Sequence, residues 1–347
     1  MSDISLLFIG FGVVGRGLAE LILEKMEVLR SSYNIEVKVL GICDLRWGSI
    51  VNDDGLDLAR ALKLVDSGKT LDHYDLPARR GLSSLEAIRE VPSDIVIEVT
   101  WTNLETGEPG LTHIKEALIL GRHVATTNKG PIALAYRELM DIAKAKNVKL
   151  KFEGTVLSGT PTFNFRWSCL KALEVRRIRG ILNGTTNFIL TEMERGVSYS
   201  EALRKAQELG YAEADPTLDV DGWDAAAKAV ILANVLMDGD LKLRSVERRG
   251  IRGISMKEIL EAVKNGYKVK LLAEIWKEDD EVKAKVSPTR IPVTDALSSV
   301  SGVLNAIQFE TDVLEEVTIV GAGAGRRPTG YALLSDILEI ASSCQRT

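Results

Sequence analysis

Apolar residues recur along the first 150 positions in two alternating periods. Runs of strand length sit at residues 5–9, 36–42, 94–99, 122–126 and 148–153. Between them the apolar positions fall at helical spacing. Residues 13–30 place Val14, Leu18, Leu21 and Ile22 on one face, and residues 56–66, 84–89, 112–120 and 134–146 also fit helices. Strands separated by helices mean crossover connections, and therefore a parallel sheet covered on both faces. The pattern predicts a doubly wound α/β domain.

Beyond about residue 160 the pattern changes. Residues 175–182 alternate like a half-exposed strand, 200–209 read as an amphipathic helix, and 221–237 as a second helix rich in alanine. Residues 268–277 and 281–286 predict two antiparallel strands about the polar turn Glu278-Asp279-Asp280, and residues 305–312 and 316–320 add two more. This mixture predicts a second domain of α+β type. No repeat or Pro/Ser-rich linker separates the two halves.

Composition narrows the function classes. The chain has 347 residues, with 44 basic against 49 acidic side chains and a net charge of −5. Mild acidity does not suit a protein that binds nucleic acid nonspecifically, which needs a cationic face to displace counterions. No apolar run approaches the roughly 20 residues of a membrane span, and residues 4–9 lack the flanks of a signal peptide. A cytoplasmic location, with neither nucleic-acid nor membrane partner, is expected. Cys43, Cys169 and Cys344 are far apart, and His73, His113 and His123 have no partner at zinc-site spacing. Acid–base chemistry would therefore fall to lysines and carboxylates.

The first strand leads into Gly10-Phe11-Gly12-Val13-Val14-Gly15 and then a helix. Gly10 permits the tight turn, Gly12 lets backbone approach a pyrophosphate, and Gly15 lets helix and strand pack closely. The helix start adds unpaired N–H groups and a positive dipole end. Strand, loop and helix in this order are the context that gives the motif its meaning, a dinucleotide site of Rossmann type. The second strand ends at Asp44, followed by Arg46. An acid there hydrogen-bonds the ribose of NAD, whereas an arginine suits the 2′-phosphate of NADP. Both are present, so either cofactor fits.

Residues 210–228 are the richest in chemistry. Asp221 is placed to cap the following helix, and Asp224 and Lys228 are i, i+4 on one face with alanines between them. Carboxylates beside a lysine suit a substrate that carries an ammonium group and a reacting oxygen. A capped surface helix with one ion pair would have the same spacing. Asn128-Lys129-Gly130-Pro131 follows a strand at the edge where open α/β sheets bind ligands. Asn183-Gly184-Thr185-Thr186-Asn187 is a polar loop ahead of a helix, and capping alone would account for it. The run Gly321-Ala322-Gly323-Ala324-Gly325 points to backbone lying against a ligand or another segment. Trp101, Trp167 and Trp223 read as core or interface residues.

Taken together and in order, these stretches resemble the homoserine dehydrogenase family over nearly the whole chain. The match runs through the glycine loop, Val99-Thr100-Trp101-Thr102-Asn103, Thr127-Asn128-Lys129-Gly130-Pro131, Glu153-Gly154-Thr155-Val156 and Gly180-Ile181-Leu182-Asn183-Gly184-Thr185-Thr186-Asn187. It continues through residues 210–228 and 321–336. The resemblance implies NAD- or NADP-dependent interconversion of L-aspartate 4-semialdehyde and L-homoserine, on the route to threonine and methionine. It implies an NAD(P)-binding domain at residues 1–151, a catalytic and dimerisation domain at 152–320, and a segment, 321–347, that returns to the first domain.

The resemblance also implies residue roles. Lys228 would donate the proton, with Asp219 and Asp224 orienting it, and Lys129 would stand between cofactor and substrate. Glu213, Asp219, Asp224, Asn183, Gly184 and Thr185 would hold the amino acid. Gly10 to Gly15, Asp44, Arg46, Thr100, Asn103, Lys129 and Gly323 would hold the cofactor. Glu153, Val156, Ser158 and Thr160 match where the family can bind a monovalent cation such as Na⁺ through backbone oxygens. Residues 305–312 and 316–320 match the family's dimerising strands, so a homodimer is expected. The resemblance implies a short form, expected to do without the regulatory domain that many members carry after this point. The chain has tryptophan at position 101, where many have proline. Two other readings compete: a different two-domain semialdehyde or hydroxy-acid dehydrogenase, and a non-catalytic nicotinamide sensor that would not need Lys228.

Overall fold

The computed structural model describes residues 2–344 and divides into two compact units. The first runs to Gly159 and includes the chain again from Gly325, while the second spans Thr160–Ala324.

In the first unit, β1 (Ser2–Ile9), α1 (Val13–Tyr33), β2 (Ile35–Asp44), β3 (Gly48–Val51), α2 (Leu58–Asp66), β4 (Arg79–Arg80) and α3 (Ser84–Glu90) are followed by β5 (Ile95–Glu98) and α4 (Gly110–Ile119). Then come β6 (His123–Thr126), α5 (Lys129–Ala145), β7 (Leu150–Lys151) and the single turn α6 (Gly154–Leu157). The sheet order is β4-β3-β2-β1-β5-β6-β7. Strands β2, β1, β5, β6 and β7 are parallel, as the alternating pattern predicts. The edge is not: β3 and β4 are antiparallel, and such short strands, of four and two residues, leave no readable period.

Helix α5 begins at Lys129, not near residue 134. Gly130 and Pro131 read as a turn, yet proline is tolerated in the first turn, where its missing N–H has no partner to lose. A non-helical residue, Ala135, interrupts the helix just where the apolar period starts to show.

The second unit contains α7 (Phe163–Cys169), β8 (Val175–Ile181), α8 (Gly184–Glu194), α9 (Tyr199–Glu208), α10 (Thr217–Val220), α11 (Trp223–Leu236), β9 (Glu247–Arg248), α12 (Met256–Lys264), β10 (Tyr267–Glu278), β11 (Glu281–Pro292), β12 (Leu304–Thr311) and β13 (Glu316–Ala322). Its sheet runs β13-β12-β8-β10-β11-β9 and is antiparallel apart from the β11–β9 pair. The expected hairpin is present, with Glu278 opposite Glu281 across the turn. The periodicity argument does not register α7, α8, α10 or α12. Helix α8 is buried from Thr185 through Met193, so it shows no stripe. Helix α12 opens with a Ser255–Glu258 capping box, a signal the apolar pattern alone does not register.

The last helix, α13 (Arg326–Cys344), belongs to the first unit. It lies on α1 backbone to backbone, because a Cβ at Gly17 would come within 2.1 Å of the Arg326 carbonyl and one at Gly330 within 2.5 Å of the Gly17 carbonyl carbon. That approach carries Leu333, Leu334, Ile337 and Ile340 into the same core as Leu6, Phe8, Leu18 and Ile97. The unit boundary falls after Gly159 rather than after residue 151. The reason is that Glu153 N donates to Asp336 of α13 (3.1 Å) and the Ser158 and Thr329 hydroxyls are 2.7 Å apart.

Candidate active site

Strand β1 pairs with β2 on one side and with β5 on the other, so the chain reverses direction of travel across the sheet at β1. Ligands of open α/β sheets bind in the crevice that this reversal leaves at the carboxyl ends of the strands. Gly10 follows β1 there with φ of 100°, and any Cβ would meet the Val99 carbonyl at 2.7 Å. Gly15 packs equally close, 2.7 Å from the Gly10 carbonyl, whereas a Cβ on Gly12 would meet nothing. Open space at Gly12 is what a pyrophosphate needs. Helix α1 has no side-chain cap and no acid in its first turn, so its amide dipoles face the same space. Val13 is exposed and Val14 packs on the core, while Phe11 is buried edge-on to Phe8.

Asp44 lies against the glycine loop. One carboxylate oxygen accepts from Phe11 N at 2.7 Å, and the other from Arg46 N at 2.8 Å and Trp47 N at 3.0 Å. Thus the acid fastens the glycine loop to the end of β2. Arg46 is exposed, with its guanidinium over the Trp47 ring at 4.6 Å. Neighbouring Cys43 is inert: burial and the Asp44 charge push its thiol up to about 12.

Thr100 follows β5 and is held by Glu98, which accepts from both its amide and its hydroxyl. Asn103 closes a turn, its Oδ1 accepting from Glu105 N and Thr106 N. Lys129 is the first residue of α5, and Asn128 caps that helix by accepting from Gly130 N. Trp101 and Trp167 are 57% and 40% exposed, so neither fills a core.

In the second unit Asn183 organises the acids. Its Oδ1 caps α8 by accepting from Thr186 N at 2.9 Å, which turns both amide hydrogens outward. Nδ2 then donates to Asp219 Oδ1 at 2.6 Å and to Asp224 Oδ2 at 3.0 Å. Lys228 is buried on α11, 2.9 Å from Asp224 and donating to the Leu182 carbonyl at 2.6 Å. The i, i+4 pair is therefore a packed, shielded ion pair and not a surface one. Burial, reinforced by the Asp224 charge, raises the Asp219 pKa, while Asn183, Thr185 and Lys228 pull it back. Gly184 opens α8, and Thr185 donates to the Tyr211 carbonyl at 2.6 Å.

Asp221 does not cap α11. Gly222 occupies the cap position with φ of 83°, and Asp221 instead ends α10 and pairs with Arg252 at 2.7 Å. Arg248 also donates to the Asp221 carbonyl and covers the Trp223 ring at 3.6 Å. These two arginines hold the Asp219 turn from behind, a role that their spacing in sequence did not reveal. Glu213 is exposed. Gly323 belongs to the second unit, where it lies flat on the Asn305 amide, 2.2 Å from where a Cβ would sit.

Glu153, Val156 and Ser158 form the turn around α6, with Ser158 at φ 54°. Thr160 lies in the second unit, and its hydroxyl donates to the Ala322 carbonyl at 3.0 Å. Asp336 beside Glu153 is wholly buried, with one oxygen unpartnered, and burial raises its pKa well above the usual carboxylate range. Among the described residues no group of three or more His, Cys, Asp or Glu could hold a metal ion, so a cation there would need backbone oxygens beside what Asp336 offers.

Comparison with known proteins agrees with this geometry. The homoserine dehydrogenase family profile matches residues 161–338, and the profile for the NAD-binding domain of homoserine dehydrogenase matches residues 10–153. A homoserine dehydrogenase of Methanocaldococcus jannaschii is 41% identical over 98% of this chain and 99% of its own length. An NAD(+)-dependent homoserine dehydrogenase of Pseudomonas canavaninivorans is 40% identical over 100% of this chain and 98% of its own. A solved hyperthermophilic archaeal homoserine dehydrogenase in complex with NADPH superposes with a TM-score of 0.84 at 33% identity, covering 99% of this chain and 98% of that one. The chain belongs to the homoserine dehydrogenase family of NAD(P)-dependent oxidoreductases.

Proposed function

We propose that the Lys228 cluster binds L-aspartate 4-semialdehyde and that Lys228 delivers the proton that converts its aldehyde to the alcohol of L-homoserine. The observation that carries this reading is one buried ammonium held between a carboxylate and a carbonyl, beside a second carboxylate of raised pKa. The nicotinamide, when bound, supplies the hydride to the carbonyl carbon. The aldehyde oxygen takes its proton from Lys228 Nζ, and the reverse reaction returns it. Asp224 keeps the ammonium oriented, and Asp219 and Glu213 supply negative charge for the substrate's own ammonium group. Asn183, Gly184 and Thr185 frame that pocket. Lys129 and Thr100 act on the cofactor side, with Asn103 shaping their loop.

Arg46 is exposed just beyond the end of β2, which favours NADP with tolerance of NAD. The turn of Glu153, Val156 and Ser158, continued by Thr160, is the proposed place for a monovalent cation. Oxygen-rich surroundings and an orphaned buried Asp336 oxygen fit a hard cation there, whose contribution would be to order the turn. Strand β13 is a half-exposed edge, and Val313, Leu314 and Val320 are 66%, 50% and 47% exposed, so we place a homodimer contact on this face. The reaction belongs to soluble metabolites, in the cytoplasm, on the threonine and methionine branch of aspartate metabolism.

Substituting Lys228→Met should lower kcat about 10²–10⁴-fold, the usual share of general acid–base catalysis. Cofactor titration should be nearly unchanged, and a near-normal kcat would remove Lys228 from the mechanism. For Asp219 the sign follows from its raised pKa. As pH falls it takes up a proton earlier than an ordinary aspartate and loses the charge that faces the ammonium group. The kcat/KM for homoserine should therefore fall on the acid side, with a midpoint above the ordinary aspartate value of about 3.9. A profile flat down to the pH of unfolding would count against that role. Replacing Arg46→Ala should raise KM for NADPH by about tenfold, the worth of one charge-assisted hydrogen bond, and leave NADH untouched. An equal effect on both cofactors would make Arg46 an ordinary surface charge. Light scattering should give twice the chain mass, and an active monomer would exclude the dimer.

A further inference from the structure

Glu98 ends β5 as the only charge in the run Ile95-Val96-Ile97-Glu98, and its side chain has no solvent exposure. A buried carboxylate loses several kcal/mol of hydration, which an apolar residue at a strand end would not lose. Its partners show what it holds. Oε1 accepts from the amide and hydroxyl of Thr100, the residue of the cofactor loop. Oε2 accepts from the hydroxyl of Thr126 at 3.1 Å, directly across the sheet at the end of β6.

The chain of bonds continues from there. Thr126 Oγ1 accepts from Asn128 N at 3.0 Å. The Asn128 amide donates to the Trp101 carbonyl at 3.2 Å, while its own oxygen caps α5 at Gly130 N, 3.3 Å away. This closes a ring of Glu98, Thr100–Trp101, Asn128 and Thr126. The ring joins the two loops at the sheet's carboxyl edge, and Lys129 is the next residue along the chain. His113 Nδ1 stands 3.8 Å from Glu98 without a hydrogen bond, so neutral donors carry the whole load of satisfying the carboxylate.

We propose that Glu98 is a positioning residue for the hydride-transfer reaction: its carboxylate sets Thr100 and, through Thr126 and Asn128, the start of α5 that carries Lys129. This rests on the reading of Lys129 and Thr100 as cofactor-side residues. A carboxylate is needed because both of its oxygens must accept. In Glu98→Gln the amide oxygen still serves Thr100, but the NH₂ group faces a Thr126 hydroxyl that now has no acceptor. The Thr126 hydroxyl hydrogen must turn away to find another acceptor, which shifts Thr126 against Asn128, while volume and packing are kept.

The test compares Glu98→Gln, Thr126→Val and Lys129→Met, singly and as the Glu98→Gln/Lys129→Met pair. Glu98→Gln should lower kcat about 10–100-fold, the effect of a misplacement near 1 Å, with homoserine KM within about twofold and an unchanged melting temperature. Thr126→Val, which cuts one link without touching a charge, should act in the same direction more weakly and guards against poor folding of the first variant. Because Glu98 acts through Lys129, the double variant should be no slower than Lys129→Met alone. The proposal is overturned if folded Glu98→Gln keeps its kcat, if its loss merely tracks the folded fraction, if the two losses multiply, or if Lys129→Met is fully active. Lys228→Met reads the acid–base assignment separately, so failure of either is distinguishable from failure of the other.

Discussion

Asn183 has one side-chain oxygen and two amide hydrogens, and the second unit uses all three. The oxygen ends the chain's extended path by capping α8, and the hydrogens must then point away from the helix. Asp219 and Asp224 come to them from α10 and α11, elements otherwise joined only by a turn. Leu182, one residue earlier, offers its carbonyl to Lys228. One capping residue therefore fixes the spacing of two carboxylates and an ammonium. Each of its hydrogen bonds to a carboxylate contributes on the order of 1.5–3 kcal/mol, enough to hold two like charges in one place.

The first unit solves a similar problem with backbone donors. Its glycine loop must stay open at Gly12 and bent at Gly10, and neither residue has a side chain to anchor it. Asp44 provides the anchor from the neighbouring strand, accepting from Phe11 N as well as from its own turn. The carboxylate that sequence reasoning assigns to a ribose is thus also the fastening of the loop. Truncating such a residue would disturb two functions at once.

What could be read from the sequence follows from where the information is local. Parallel strands buried on both faces leave long apolar runs, and α1 leaves a stripe, so the doubly wound core was legible. Helix α8 was legible only as a helix after the polar stretch 183–187; it begins at Gly184, and burial on every side erases the period that would have shown this. The pairing of Asp224 with Lys228 was legible as i, i+4 spacing, but its burial was not, since its partners Leu182 and Asn183 lie far off in sequence. Asp221 shows the reverse error: its type and position suit a cap, yet Gly222 alone accepts the positive φ that the bend demands. Glu98 lies unremarked inside the apolar run 94–99, and its partner Thr126 comes from β6, which no local pattern reveals.

Two buried lysines in the second unit show why burial alone does not mark a catalytic group. Lys270 is wholly buried on β10, 3.3 Å from Asn187 Oδ1 and 3.4 Å from Glu194, and burial lowers its pKa. Both partners lie on α8, whose Asn187 amide also donates to the Leu304 carbonyl at 2.9 Å. Lys270 thereby ties the middle and end of α8 to the sheet. Lys228 differs in its company: a pair of carboxylates that repel each other, one of them raised in pKa, at the buried, alanine-rich start of α11. A lysine that faces one amide and one carboxylate, both on the same helix, is a strut. A lysine facing a surplus of negative charge can exchange a proton when a substrate brings its own cation to share that surplus. Because α8 presents Asn183 at one end and engages Lys270 further along, the strut holds the geometry on which the reactive lysine depends.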